Sequence, residues 1–274
     1  MTIIQNQRKE KTMIKSIKSI KGKRVNKGIN LNKGINKGKD DFLKLLDDYG
    51  HEVGMSLVYR FGKMFDSQMV PLNSLHSCGN IKIPNTTMIF NMSSATDCPS
   101  LALNKCKACI IDKVTGELKT CCYALKCERD YRPNVLPYRQ RQQKFWLGVS
   151  ADEFVKQFMI IQSNKVVKFD KIRLNEAGDF HSQECVNKSE KIARLLSPFG
   201  IVVYCYTSRD DLDYTRTRKL VISGSNFVSS GISNEFKMIE KGEEVPKGYK
   251  KCPSDCHICD RCSIRGKRTV IERH

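Results

Sequence analysis

Ten of the thirteen cysteines in the chain fall into two tight groups. The first is Cys98, Cys106, Cys109, Cys121, Cys122 and Cys127; the second is Cys252, Cys256, Cys259 and Cys262. Thiolates at such spacings can converge on one metal centre. Zinc would take four sulfur or nitrogen ligands in a tetrahedron. An iron–sulfur cubane would take three or four thiolates. Three protein ligands leave one iron open to a substrate or cofactor; four close the site. Cys106 and Cys109 form a C-x2-C knuckle that can place two thiolates on one metal. The second group packs four cysteines into eleven residues as C-x3-C-x2-C-x2-C, which favours one closed four-thiolate site. Its compactness is nearer to a bacterial ferredoxin run than to the two separated halves of a zinc site. The order is inverted, because Pro253 follows the first cysteine and the longer gap comes first. Iron–sulfur is the expectation for this group and zinc the alternative. His257 is expected to be a solvated neighbour. Cys78, Cys185 and Cys205 stand apart and read as small hydrophobes.

Disulfides fit poorly. Thirteen is odd, and Cys121 and Cys122 are adjacent. Lysines interrupt each short isoleucine run near the N-terminus, so no secretory leader is expected. Reduced thiols in a cytoplasm follow. No apolar run approaches the roughly 18 residues that span a bilayer, so no membrane partner is expected. The net charge is +19, and residues 1–39 contribute twelve Lys/Arg against the single acid Glu10. Asn26-Lys27-Gly28-Ile29-Asn30 recurs as Asn32-Lys33-Gly34-Ile35-Asn36. Self-repulsion and scattered glycine predict a disordered basic arm over 1–39. It is either a DNA- or RNA-binding arm or a solubilising leader.

The elements that must position these thiols follow from hydrophobic periodicity. A short amphipathic helix is expected from Asp40 to about Tyr49. Turns are expected at His76–Asn80 and at Pro84-Asn85, then a buried strand at Thr87–Asn91. Helices are expected over Leu136–Leu147, Ala151–Gln162 with Ser150 as N-cap, and Ser182–Leu196 stopped by Ser197-Pro198. Strands are expected at Val167–Leu174, Ile201–Tyr206 and Leu220–Ile222, with one or two helical turns over Asp210–Arg216. Alternating strands and helices imply parallel βαβ units. Functional residues then collect on loops after the strands' C-terminal ends. That rule selects Asn91, the run Asn175–Ser182, Thr207-Ser208-Arg209 and Ser223–Asn226. The expected organisation is a basic arm over 1–39, an α/β barrel-like domain over 40–250 carrying the first cysteine group, and a C-terminal cysteine tail over 251–274 packed on it.

Several segments together resemble the phage "gene product 88" family, over roughly residues 85–262. They are Phe90-Asn91, Thr96-Asp97-Cys98-Pro99, Cys122-Tyr123-Ala124, Arg173 through Gly178-Asp179-Phe180 and Ser182, Tyr204–Ser208, Ser223–Asn226, and Cys252-Pro253 with the closing cysteines. The Cys-Tyr-Ala element is also similar to a related phage family that resembles radical S-adenosylmethionine enzymes. That likeness implies a TIM-like β/α barrel, complete or partial, with a 4Fe–4S cluster on three cysteines and S-adenosylmethionine at its open iron. It implies catalytic roles for Glu176, Asp179 and Arg209, and cofactor contacts from Asn91, Thr207, Ser208, Ser223 and Asn226. The C-x3-C-x2-C run of those enzymes is missing here. The nearest sets are Cys106, Cys109 and Cys122, or Cys98, Cys106 and Cys122.

Two functions follow, one catalytic and one not. The first is an iron–sulfur enzyme, radical-SAM-like, acting on nucleic acid or a nucleotide, with one or two clusters. The second is a metal-stapled module that binds nucleic acid or a host protein. Its sequence support is the arm and the run Arg129, Arg132, Arg139, Arg141 and Lys144 interleaved with Tyr131, Tyr138 and Phe145. Basic residues beside aromatics can track a backbone and stack bases.

Overall fold

A computed structural model describes residues 71–273 except 107, 112–117, 121 and 132–133. The basic arm, the helix expected at Asp40–Tyr49, and Cys121 lie outside the described residues.

Among the described residues, ten strands and five helices follow in order: β1 (Ser77–Asn80), β2 (Ile83–Phe90), α1 (Pro99–Ala102), β3 (Cys109–Ile111), β4 (Leu118–Thr120), α2 (Tyr123–Asp130), α3 (Val135–Gly148), α4 (Ala151–Asn164), β5 (Lys171–Leu174), α5 (Gln183–Leu196), β6 (Val202–Thr207), β7 (Val221–Ser225), β8 (Asn234–Ile239), β9 (Lys250–Lys251) and β10 (Arg268–Glu272). Strands β3 and β4 form a separate antiparallel pair. The other eight make one sheet in the order β1-β2-β5-β6-β7-β8-β10-β9. All neighbours in it are parallel except β1, which returns antiparallel on β2.

From β2 to β8 the strands of the sheet lie side by side in chain order, so each of these crossovers steps the same way; β10 then inserts between β8 and β9. That is the winding of a β/α barrel rather than of a doubly wound sheet. The barrel expected from sequence is nevertheless not closed. Among the described residues β1 and β9 are edges that do not pair with each other. Residues 208–220 and 226–233 also connect β6 to β7 and β7 to β8 without the helix that follows each strand of a TIM-like barrel. The hairpin strand β1 caps the other edge. The expected helical turns over Asp210–Arg216 are absent because Asp213 accepts from the Thr215 N–H at 2.8 Å and hydroxyl at 2.7 Å. Such local bonds compete with helix.

The three long helices α3, α4 and α5 form where periodicity placed them, while α1 and α2 lie outside the expected elements. The Ser150 hydroxyl accepts from Glu153 N–H at 3.1 Å and caps α4. Paired strand positions share a face, and the two faces differ. One carries Phe90, Ile172, Leu174 and Val203 beneath the helices, with Phe90 meeting Phe145, Trp146 and Phe154 in an aromatic cluster. The other carries Arg173, Tyr204, Tyr206, Ser225 and Phe236. The C-terminal cysteine segment packs there. Its short turn Arg261–Ser263 touches β6 and β7, and Cys256 N–H reaches across to Lys82 C=O at 2.8 Å. Strand β9 straddles the 250/251 boundary drawn from sequence and β10 lies beyond it, yet both belong to the same sheet.

Two turns expected from sequence are strands. Ser77–Asn80 is β1, and Pro84-Asn85 lies inside β2. Pro84 is tolerated because β5 begins to pair only at Thr87, so no ladder bond needs its missing N–H. Val167–Asp170 is a turn before β5, held by Gln162, whose amide donates to Phe169 C=O at 2.7 Å and accepts from its N–H at 2.8 Å. Ser223–Ser225 lies in β7 rather than in a loop. Among the described residues no helix is long and apolar enough to cross a membrane.

Candidate functional site

The C-terminal ends of β5, β6 and β7 open into a cavity of about 120 Å³. Three cysteines from three segments line it: Cys98 before α1, Cys106 after it, and Cys122 before α2. Small side chains bring the segments together. Ala95, Ala124 and Ala177 form one buried cluster, and Cys122 and Leu125 pack against it. Beneath it Glu128 accepts from Ala95 N–H at 2.6 Å, Thr96 N–H at 2.9 Å and the Thr96 hydroxyl at 2.8 Å. Arg139 closes that network with a 3.0 Å ion pair to Glu128. The turn that leads into Cys98 is thereby fixed from below.

Asp179 is the buried polar centre of the cavity, 4% exposed. Its carboxylate accepts from the Ser100 hydroxyl at 2.6 Å, Ser208 N–H at 2.8 Å and Phe180 N–H at 2.8 Å. Burial raises its carboxyl above the usual range, against the pull of these donors. Burial, with Asp179 nearby, also pushes the Cys98 thiol up to about 12. Glu176 lines the same cavity and accepts from the Asn80 amide at 2.6 Å, while the Tyr123 hydroxyl donates to the Glu176 carbonyl at 2.7 Å. Thr207 and Ser208 complete the β6 side.

The other expected site residues are scaffolding. Arg209 does not face the cavity. Its guanidinium donates to the Phe180 and His181 carbonyls at 2.7 and 3.2 Å and grips Asp211 at 2.8 Å, so each of its three nitrogens bonds to the chain itself. Asn91 spans from Ala177 N–H at 2.7 Å to Gln142 at 3.0 Å. Ser223 is buried in β7, and Asn226, at φ 63°, accepts from Met238 N–H at 2.9 Å. Sequence reasoning missed Ser100, Tyr123 and Tyr206, all on the cavity wall, whereas Ser225, inside the selected run Ser223–Asn226, lines it too. The signal for Tyr206 was strand alternation, which puts it on the face opposite the helices.

In the second group the Ser254 N–H donates to Cys252 Sγ at 3.4 Å, with Ser254 at φ 59°. Burial raises the Cys256 and Cys262 thiols, and each feels Cys252. Among the described residues, no three His, Cys, Asp or Glu side chains stand close enough together as arranged to hold a metal ion. The basic-aromatic run is not one surface. Arg139 and Phe145 point inward, Arg139 onto Glu128 and Phe145 onto Phe90, so α3 offers no continuous stacking face.

A family model described as gene product 88 matches residues 68–244. The chain belongs to the gene product 88 family. The match contains the whole cavity and the first cysteine group. It begins earlier than the likeness read from sequence and stops before Cys252, so the C-terminal cysteines lie beyond it. No curated protein and no solved structure matches the chain.

Proposed function

We propose that this member of the gene product 88 family is an iron–sulfur enzyme. Cys98, Cys106 and Cys122 would hold a 4Fe–4S cluster at the strand-end cavity, and Cys252, Cys256, Cys259 and Cys262 a second, closed centre. The observation that carries this reading is that three thiols from separate segments line one cavity with a buried carboxyl, at the strand ends where α/β proteins build their sites. The donor type and the number of donors fit. The spacing as it stands does not yet bring them onto one ion, and the protonated Cys98 thiol must lose its proton as metal binds.

A cluster on three thiolates supplies an iron open to a ligand and one-electron chemistry. The finer reading is a radical-SAM-like enzyme on a partial β/α barrel, of phage origin, with S-adenosylmethionine and a nucleotide or nucleic acid as its ligands. The one-directional strand order and the +19 charge favour it. In that reading Ser100, Thr207 and Ser208 hold Asp179 in the cavity wall. Tyr123 fixes the Glu176 backbone so that both acids border the bound ligand. Arg209 ties the loop after β5 to the loop after β6 and keeps the cavity's shape.

Anaerobic purification with iron and sulfide analysis tests the proposal. The expected result is bound iron and sulfide with absorbance near about 400 nm. Stoichiometric zinc without sulfide would overturn it.

A further inference from the structure

Two donors at the C-terminal end of β5 are buried and unmet. Asn175, 5% exposed and at φ 59°, lines the strand-end cavity. Its Oδ1 accepts from Met92 N–H at 3.3 Å, which fixes the orientation of the amide. Its Nδ2 is buried and has no hydrogen-bond partner among the described residues. The Nε of Arg173, two residues earlier, is in the same state. Arg173 pairs in register with Tyr204, yet its guanidinium lies 5.3 Å from the ring centroid of Tyr206, two residues nearer the end of β6. Tyr206 lines the cavity and meets Phe236, the register partner of Ser225, at 5.0 Å. The Arg173 side chain therefore leans along β5 toward the cavity. The acids there are already answered, Asp179 by the donors of Ser100, Ser208 and Phe180, and Glu176 by the Asn80 amide. The two donors on β5 are not.

We propose that Arg173 and Asn175 form an oxyanion subsite of the strand-end cavity, whose ligand presents a carboxylate or phosphate to the end of β5. This deepens the reading of the cavity as a ligand site and needs no metal there. An unmet buried donor costs about 1–3 kcal/mol, and native chains hold few of them. A ligand oxyanion that accepts from Nδ2 and from the guanidinium removes that cost at both. The planar fork of arginine matches the paired oxygens of a carboxylate or phosphate. The Tyr206 ring holds the cation without taking its donors. Asparagine tolerates the left-handed backbone at position 175 better than most side chains do. Ser208 and Ser225, also on the wall, can add hydroxyls to the same group of donors.

The test measures the melting temperature of the full chain in sodium phosphate, sodium acetate and sodium chloride at one ionic strength. Phosphate or acetate should raise it above its value in chloride, and the anion with the larger rise names the class. Arg173→Met removes the cation. Asn175→Asp removes the amide donor and keeps an acceptor for Met92 N–H. In each, the apparent Kd for that anion should rise roughly ten- to a hundredfold. Arg129→Gln, which removes an exposed cation elsewhere, should respond as the parent does. No rise above chloride in the parent overturns the proposal. So does a rise that either cavity variant keeps, or one that Arg129→Gln loses as well, since both would put the anion on the basic surface. Iron analysis judges the metal reading separately. A chain without iron that gives this response keeps the inference, and a chain with iron that lacks it loses the inference alone.

Discussion

The Ser100 hydroxyl donates to the Asp179 carboxylate at 2.6 Å, and that one bond joins α1, directly after Cys98, to the loop after β5. Because Ser208 and Phe180 N–H also point at Asp179, three segments of the cavity wall meet on one buried acid. Asp179→Ala strands these donors, and each unmet buried donor costs about 1–3 kcal/mol. We expect Asp179→Ala to lower unfolding free energy by about 3 kcal/mol and Ser100→Ala by about 1 kcal/mol, measured by urea denaturation. Equal, negligible losses would mean that the acid does not organise the wall.

The same acid gives a pH signature. Burial, the larger influence, raises its carboxyl above 3.8, so between its unfolded and folded values the folded chain binds the extra proton. Stability from this group is complete below the unfolded value and is lost as pH rises through the folded one. The advantage of the native protein over Asp179→Asn should therefore be largest in acid and shrink as pH rises. Denaturation of both proteins across pH 4 to 7 reads it, and an advantage that grows with pH would refute the assignment.

Glu128 and Arg139 form a buried pair on which the Ala95–Thr96 turn also hangs. Removing one partner leaves the other charge buried and alone, at about 3–5 kcal/mol. Glu128→Ala should cost that much. Arg139→Met in the Glu128→Leu background should cost far less than the two singles added, since the pair acts as a unit. A double-mutant cycle by chemical denaturation checks it; strict additivity would show that the two charges are uncoupled.

Sequence carried the site further than it carried the sheet. The loop rule located Glu176, Asp179, Thr207 and Ser208 because parallel strands present their C-terminal ends together. The rule does not separate residues that face the cavity from those that brace it, such as Arg209 and Asn91. Strand β8, Asn-Glu-Phe-Lys-Met-Ile, lacks a long apolar run because its Glu235 and Lys237 reach polar partners, the Arg268 side chain and the Tyr249 ring. The alternation Lys171-Ile172-Arg173-Leu174 did hold a signal. It tells of a strand with helices on one face only.

Gly178 adopts φ +78°, and a Cβ there would come within 1.8 Å of Ser93 Oγ and 2.7 Å of its carbonyl oxygen. Gly178→Ala therefore meets both left-handed strain and a collision with backbone. A loss of more than about 1 kcal/mol is expected. Because Asp179 follows directly, the wall should shift too. Crystallography of the variant should find the Ser100–Asp179 bond lengthened or broken; an unchanged bond and unchanged stability would refute this.

The two proposed centres use separate cysteines, and iron content can tell them apart. Cys98→Ser, Cys106→Ser or Cys122→Ser should remove the iron of one centre and leave the other. Cys259→Ser should do the converse, and combining the two classes should abolish iron altogether. Cys185 is the control. It is buried and accepts from the Trp146 indole N–H at 3.4 Å, so Cys185→Ala should weaken the fold while keeping both centres. Cys109→Ser decides between the two ligand sets that spacing allows. Cys98, Cys106 and Cys122 line one cavity, so iron should survive the loss of Cys109. If Cys109→Ser loses iron and Cys98→Ser keeps it, the ligand set is Cys106, Cys109 and Cys122, and Cys98 belongs to the wall.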